Sequence, residues 1–190
     1  MRRKYWIPVV SGAALLMAIS LSGLSIAQSA PPTSSVSPAS NNDQELLKLS
    51  AQGNIAEVEL GRLAITRSTN AAVQNLGTRL AQDGSKGVAN LQTVAAMLHV
   101  RLPMTPSAAQ EGQIAKLRQL QGAAFDQRFE QVVHKDESQM LHQFQSGVTM
   151  ASNGAVKSTI KNMIPVVQEH LQIAQGIPTR EASASKGSTR

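Results

Sequence analysis

The residues of this sequence best suited to chemistry are polar groups standing where the surrounding pattern asks for apolar ones. His170 shares a helical seam with Val167 and Ala174. Glu137 lies on the series 133, 137, 140 and 144, whose other members are Val, Met and Phe. Glu57 lies on 53, 57, 60 and 64, among Gly, Leu and Ala, and Glu59 shares the neighbouring stripe with Ala56 and Leu63. Asp83 stands beside the seam of another helix, between Leu80 and Gly87. Carboxylates and an imidazole converging inside packed helices are the donor set of a non-haem iron or manganese centre, because hard oxygen and borderline nitrogen ligands suit those ions. The paired Glu-x-x-His of di-iron proteins is absent, and its nearest relative, Glu130 with His134, points away from the apolar stripe. The same residues also suit a structural role, with a hydrogen-bonded core histidine and glutamates that pair with arginine. Met97, Met140 and Met163 read as core fillers, His134 and His142 as solvated, and His99 as a charge partner for a helix end.

Other chemistries find less support. No serine stands in a nucleophile elbow. Ser158 with Lys161 and Ser183 with Lys186 match S-x-x-K, but neither has the accompanying S-D-N or K-T-G elements. Gly84-Ser85-Lys86 resembles the end of a phosphate loop, yet the motif's first glycine and its preceding strand are missing. No catalytic motif emerges, and the expectation is a protein that is not an enzyme.

The elements that must position these groups are helices. The first is expected from near Asp43 to Thr66 or Ser68, with Leu46, Leu49, Leu60 and Leu63 inward. In the second, from Asn70 to His99, positions 73, 77, 80, 84, 87, 91, 94 and 98 alternate by three and four, the spacing of a packed seam. Thr105-Pro106 reads as the start of a third helical region reaching Met150, interrupted at Gly122. Phe125, Phe129, Val132, Val133, Met140 and Phe144 form its apolar stripe. The last helix, from Ala155 to Gln175, contains Pro165, which should kink it or shift its start. Long amphipathic helices joined by short connections predict an all-α, antiparallel four-helix bundle over residues 43–176.

Around that body lie segments of different composition. Residues 1–27 have the parts of a secretory signal: Arg2, Arg3 and Lys4, an apolar stretch to Ile26, and small residues at Ser25 and Ala27 for cleavage. Residues 28–42 read as a flexible Pro/Ser linker, and 177–190 as a disordered tail. Removing residues 1–27 lowers the formal charge from +6 to +3, and the tail holds most of what remains. A basic surface for nucleic acid is therefore not expected. Aromatics make up 3% of the chain, and the only Tyr and Trp are Tyr5 and Trp6, which leaves no platform for stacking bases. The absence of cysteine excludes disulfides, thiolate zinc sites and thiol nucleophiles.

Four stretches, in order, carry a family resemblance. They are Gly53-Asn54-Ile55-Ala56-Glu57-Val58-Glu59-Leu60-Gly61-Arg62-Leu63-Ala64, Leu80-Ala81-Gln82-Asp83, Gly122-Ala123-Ala124-Phe125-Asp126 and Ile164-Pro165-Val166-Val167-Gln168-Glu169-His170-Leu171. Together they resemble a bacterial exported family catalogued as domain of unknown function forty-one forty-two, often described as a predicted outer-membrane protein. The resemblance implies a ferritin-like fold. It also implies three histidines, which fall here on Gly84, Glu137 and His170, so that only the last is kept. Glycine at 84 is unexpected in a core seam, where it costs about 1 kcal/mol against alanine.

Two functions follow as expectations. One is an exported periplasmic or envelope protein that binds a partner or supports structure, its core site degenerate. The other is a metal-binding or redox protein using Glu57, Glu59, Asp83, Glu137 and His170 for a weakly held iron or manganese ion. The partner is not defined by the sequence beyond an envelope or protein class.

Overall fold

The structure is a computed structural model that describes residues 37–177. The expected signal segment, residues 28–36 of the expected linker and residues 178–190 of the expected tail lie outside the described residues. The described residues form five helices and no strand: α1 (Asn41–Arg67), α2 (Ala71–Met97), α3 (Ala108–Leu117), α4 (Gly122–Met150) and α5 (Gly154–Gln175).

Local chemistry sets the helix ends. α1 begins two residues before the expected Asp43, because Ser40 and Asp43 form a capping box. Ser107, not Thr105, caps α3, with Gln110 closing a second box. Asn70 and Asn153 cap α2 and α5 through side-chain acceptors. α2 stops short of the expected His99, which takes a left-handed φ of 55°. Gly122 splits the third region as expected, and its φ of 56° explains why glycine is there. Pro165 neither breaks nor displaces α5. It lies on the exposed face, where water can satisfy the Lys161 carbonyl left without an N–H donor.

α1 packs along α2 and α4 along α5, while α2 meets α5 and α1 meets α4. Short α3 sits against α1 and α4. Apolar side chains gather into two clusters. One joins Leu60, Leu76, Leu80, Phe125 and Phe129 with Ile114 and Leu117 of α3. The other joins Leu47, Leu91, Phe144, Ile160 and Val167. Ile177, expected to open the tail, is buried in the first cluster. α1 and α5 run from the second cluster to the first, whereas α2 and α4 run the opposite way. Along each of these four helices, the polar residue picked out by the sequence falls at or beside the level where one cluster gives way to the other.

Most expected inward positions are buried, including 73, 77, 80, 84, 87, 91 and 94 of α2 and the whole Phe stripe of α4. Leu49 and Met97 are exceptions. Both are exposed at the surface, and Leu47 takes the core place expected for Leu49.

Asp43, fully buried, ties the start of α1 to the α4–α5 turn. Its Oδ1 accepts from the Ser152 and Asn153 amides at 3.1 and 3.2 Å, and its Oδ2 accepts from the Ser152 hydroxyl at 2.7 Å and from Ser40. Burial alone would raise the carboxyl, but these bonds from Ser152, Ser40 and Asn153 outweigh it and hold it at about 2. That stabilisation is present above the ordinary value of 3.8 and is lost as pH falls to about 2. Wild-type protein should therefore lose about 2 kcal/mol through Asp43 across that window. Asp43→Asn should be less stable at pH 7 by about 2–4 kcal/mol and lack this part of the acid transition, read by urea denaturation at several pH values.

Candidate metal centre

The core polar layer is built from one side chain on each of three helices. Glu57 of α1, Glu137 of α4 and His170 of α5 are all buried, and each offers one donor atom within 4.8 Å of the others. His170 Nδ1 stands 3.6 Å from Glu137 Oε2. Neither atom has a hydrogen-bond partner among the described residues, although both are sealed from solvent. Buried polar atoms are rarely left so. The other ring nitrogen, Nε2, faces Asp83 Oδ2 of α2 at 3.4 Å. With the ring proton on Nε2, Asp83 accepts it and Nδ1 turns its lone pair toward Glu137. This carboxylate–histidine pairing orients metal-bound imidazoles in proteins generally.

Electrostatics differ among the three carboxyls. Burial, reinforced by the Glu137 charge, pushes Glu57 well above the usual range, with His170 opposing. Burial, with Asp136 nearby, pushes Glu137 up to about 8. Glu137 therefore holds its proton at neutral pH in the absence of a cation, and Glu57 is shifted in the same direction. Asp83 behaves oppositely. Burial would raise it, but hydrogen bonds from Lys86 and His170 hold it below its ordinary value, so it stays ionised. Lys86 Nζ lies 3.0 Å from Asp83 Oδ1.

The expected set of five is thus reduced to three converging donors with Asp83 behind them. Glu59 does not join. Two residues beyond Glu57, it is turned about 200° around the helix and pairs at 2.8 Å with the exposed Arg118. Gly84 proves to mark a close helix contact. A Cβ there would lie 2.7 Å from the Asn54 carbonyl oxygen and 3.1 Å from Glu57 Cβ. α1 and α2 approach too closely at this level for the histidine that the family resemblance implies. The approach also places Glu57 against α2. Asn54 and Lys86 were not among the expected site residues, though Lys86 ends the Gly84-Ser85-Lys86 run and Asn54 stands one helical turn before Glu57.

The donor chemistry fits a divalent first-row cation. Ligands about 2.0–2.2 Å from one ion lie no more than about 4.4 Å apart, so a small side-chain shift would close the three-atom set. Two carboxylates and one imidazole suit Mn2+, Fe2+ or Zn2+ better than Cu+.

Two solved structures share the fold. A DUF305 fragment from Deinococcus radiodurans is 12% identical with a TM-score of 0.65, the match covering 74% of this chain and 97% of that one. A DUF305 protein from Streptomyces coelicolor is 14% identical with a TM-score of 0.59, covering 76% and 92%. At such identity the likeness concerns the fold alone. No curated protein sequence matches the chain. The family described as Domain of unknown function (DUF4142) matches residues 28–177, most of the length, and the chain belongs to it.

Proposed function

We propose that this protein is an exported, non-enzymatic four-helix bundle of the ferritin-like kind that holds one divalent cation, manganese or iron, in its core. Glu57, Glu137 and His170 are the ligands, and Asp83 orients His170. The observation that carries the reading is the pair of sealed atoms, His170 Nδ1 and Glu137 Oε2, facing each other at 3.6 Å without a partner. A cation between them would satisfy both. The antiparallel run of neighbouring helices and the long α2–α4 connection, which carries α3, support the bundle topology. Export is supported by the N-terminal organisation of the sequence and by a family match that starts at residue 28, directly after the expected cleavage point.

A second reading rests on the raised carboxyls. Protons on Glu57 and Glu137 could take the cation's place, leaving a polar layer that only fixes helix register and a protein that binds a partner or supports the envelope. Titration of the full chain with Mn2+ at pH 8, followed by the electron paramagnetic resonance of free Mn2+, separates the two. One site per chain supports the metal reading. Absence of saturable binding, repeated with Fe2+ under nitrogen, supports the structural one.

A further inference from the structure

A cavity of about 450 Å3 runs from the surface to the centre. Its rim is formed by Lys86, Asn90 and Thr93 of α2 and Asn162 of α5, all exposed. Its floor is formed by buried Asn54 and Glu57 of α1. Glu137 and His170 do not line it, but each offers a donor atom within 4.8 Å of one on Glu57. Along its wall stands Asp83, whose side chain is 15% exposed and held by Lys86 at the rim. The rim is therefore edged by carboxamides and hydroxyls, groups able to replace waters of hydration one at a time, while Val94, Met140, Met163, Val166 and Val167 make the rest of the lining apolar. One anionic carboxylate lies partway in, with one ammonium over it.

We propose that this cavity is the route by which a hydrated divalent cation reaches Glu57, with Asp83 as the outer attracting carboxylate and Lys86 as an electrostatic gate upon it. The inference rests on the metal reading and adds its path and control. Lys86 repels an approaching dication and occupies Asp83, and its own side chain is 72% exposed and free to swing aside. Opening the Lys86–Asp83 pair gives the cation its first protein ligand. A carboxylate exchange to Glu57 then carries it inward.

The test uses the full chain and Mn2+ alone, with rates from stopped-flow competition against a fluorescent chelator. Lys86→Gln should raise the association rate about three- to tenfold, since a unit charge roughly 10 Å from a dication in water alters its energy by about 1 kcal/mol. Lys86→Glu should raise it further. Lys116→Glu, on the surface of α3 away from the cavity, should leave it near wild type. Asn90→Phe, which narrows the rim, should slow association and dissociation together with little change in equilibrium affinity. A merely structural effect would not produce that pattern. If Mn2+ binds at equilibrium but Lys86→Glu and Lys116→Glu act alike and Asn90→Phe leaves both rates unchanged, the route is wrong and the centre stands. If Mn2+ does not bind the wild-type chain, both are overturned.

Discussion

Metal-free protein should lose stability as pH rises from 5 to 9. Glu137 titrates at about 8 in the folded chain and near 4.5 when unfolded. Between those values the unfolded chain releases a proton that the folded chain retains, so each pH unit costs the fold up to about 1.4 kcal/mol. The contribution is fully present below pH 4.5 and is gone above pH 8, a change of roughly 3–5 kcal/mol over the window. Glu57, also raised by burial and by the Glu137 charge, adds in the same direction. Glu137→Gln keeps the shape and removes the ionisation. It should therefore flatten the dependence and make the metal-free chain more stable than wild type at pH 9. Chemical denaturation of chelator-treated protein at pH 5, 7 and 9 measures this directly. Stability that is level or rising from pH 5 to 9 in the wild type would show that the carboxyl is not held protonated. Saturating Mn2+ should reverse the slope, because the ion binds the ionised carboxylates and stabilises only the folded chain.

The second large effect concerns His170. Replacing it with alanine removes the one nitrogen donor and leaves Glu57 and Glu137 as a bare carboxylate pair. Mn2+ affinity at pH 8 should fall at least about a hundredfold, beyond the 10- to 100-fold typical of losing an outer partner. Asp83→Asn, which weakens the orientation of the ring, should fall within that smaller range. Because His170 is 1% exposed, its truncation also opens a cavity costing about 2–4 kcal/mol. His170→Asn, smaller in that cost, should fold and still bind weakly. Calorimetric titration of wild type and the three variants should give the order of affinity wild type, Asp83→Asn, His170→Asn, His170→Ala. Affinities for the histidine variants within threefold of wild type would exclude His170 as a ligand.

Much of this arrangement could be read from the chain. The three-and-four spacing of α2 located its buried face through Val94, and the Phe stripe of α4 made Glu137 conspicuous. His170 on α5 and Glu57 on α1 stood out in the same way. What the pattern could not supply was which helices are neighbours and how close they come. Glu59 lay on a stripe that looked inward, but it is turned away from Glu57 and reaches the exposed Arg118 at the end of α3. Leu49 and Leu47 compete for the same turn, and only packing against the second apolar cluster decides for Leu47. Gly84 looked like a costly defect until the Asn54 carbonyl was seen to occupy the space of its missing side chain. The Asp43 clasp joins residues more than a hundred positions apart. No local pattern discloses it, although Ser40-x-x-Asp43 signals its capping half.

The most direct test of the central claim is the position of a bound ion. Crystals of the full chain grown with Mn2+ at pH 8 should show, by anomalous scattering, one peak per chain among Glu57, Glu137 and His170. The peak should lie about 2.0–2.3 Å from the His170 nitrogen and from an oxygen of each carboxylate. A core without a peak, with the two glutamate carboxyls in hydrogen-bonding contact and His170 Nδ1 bonded to one of them, would contradict the account and assign the layer a structural role.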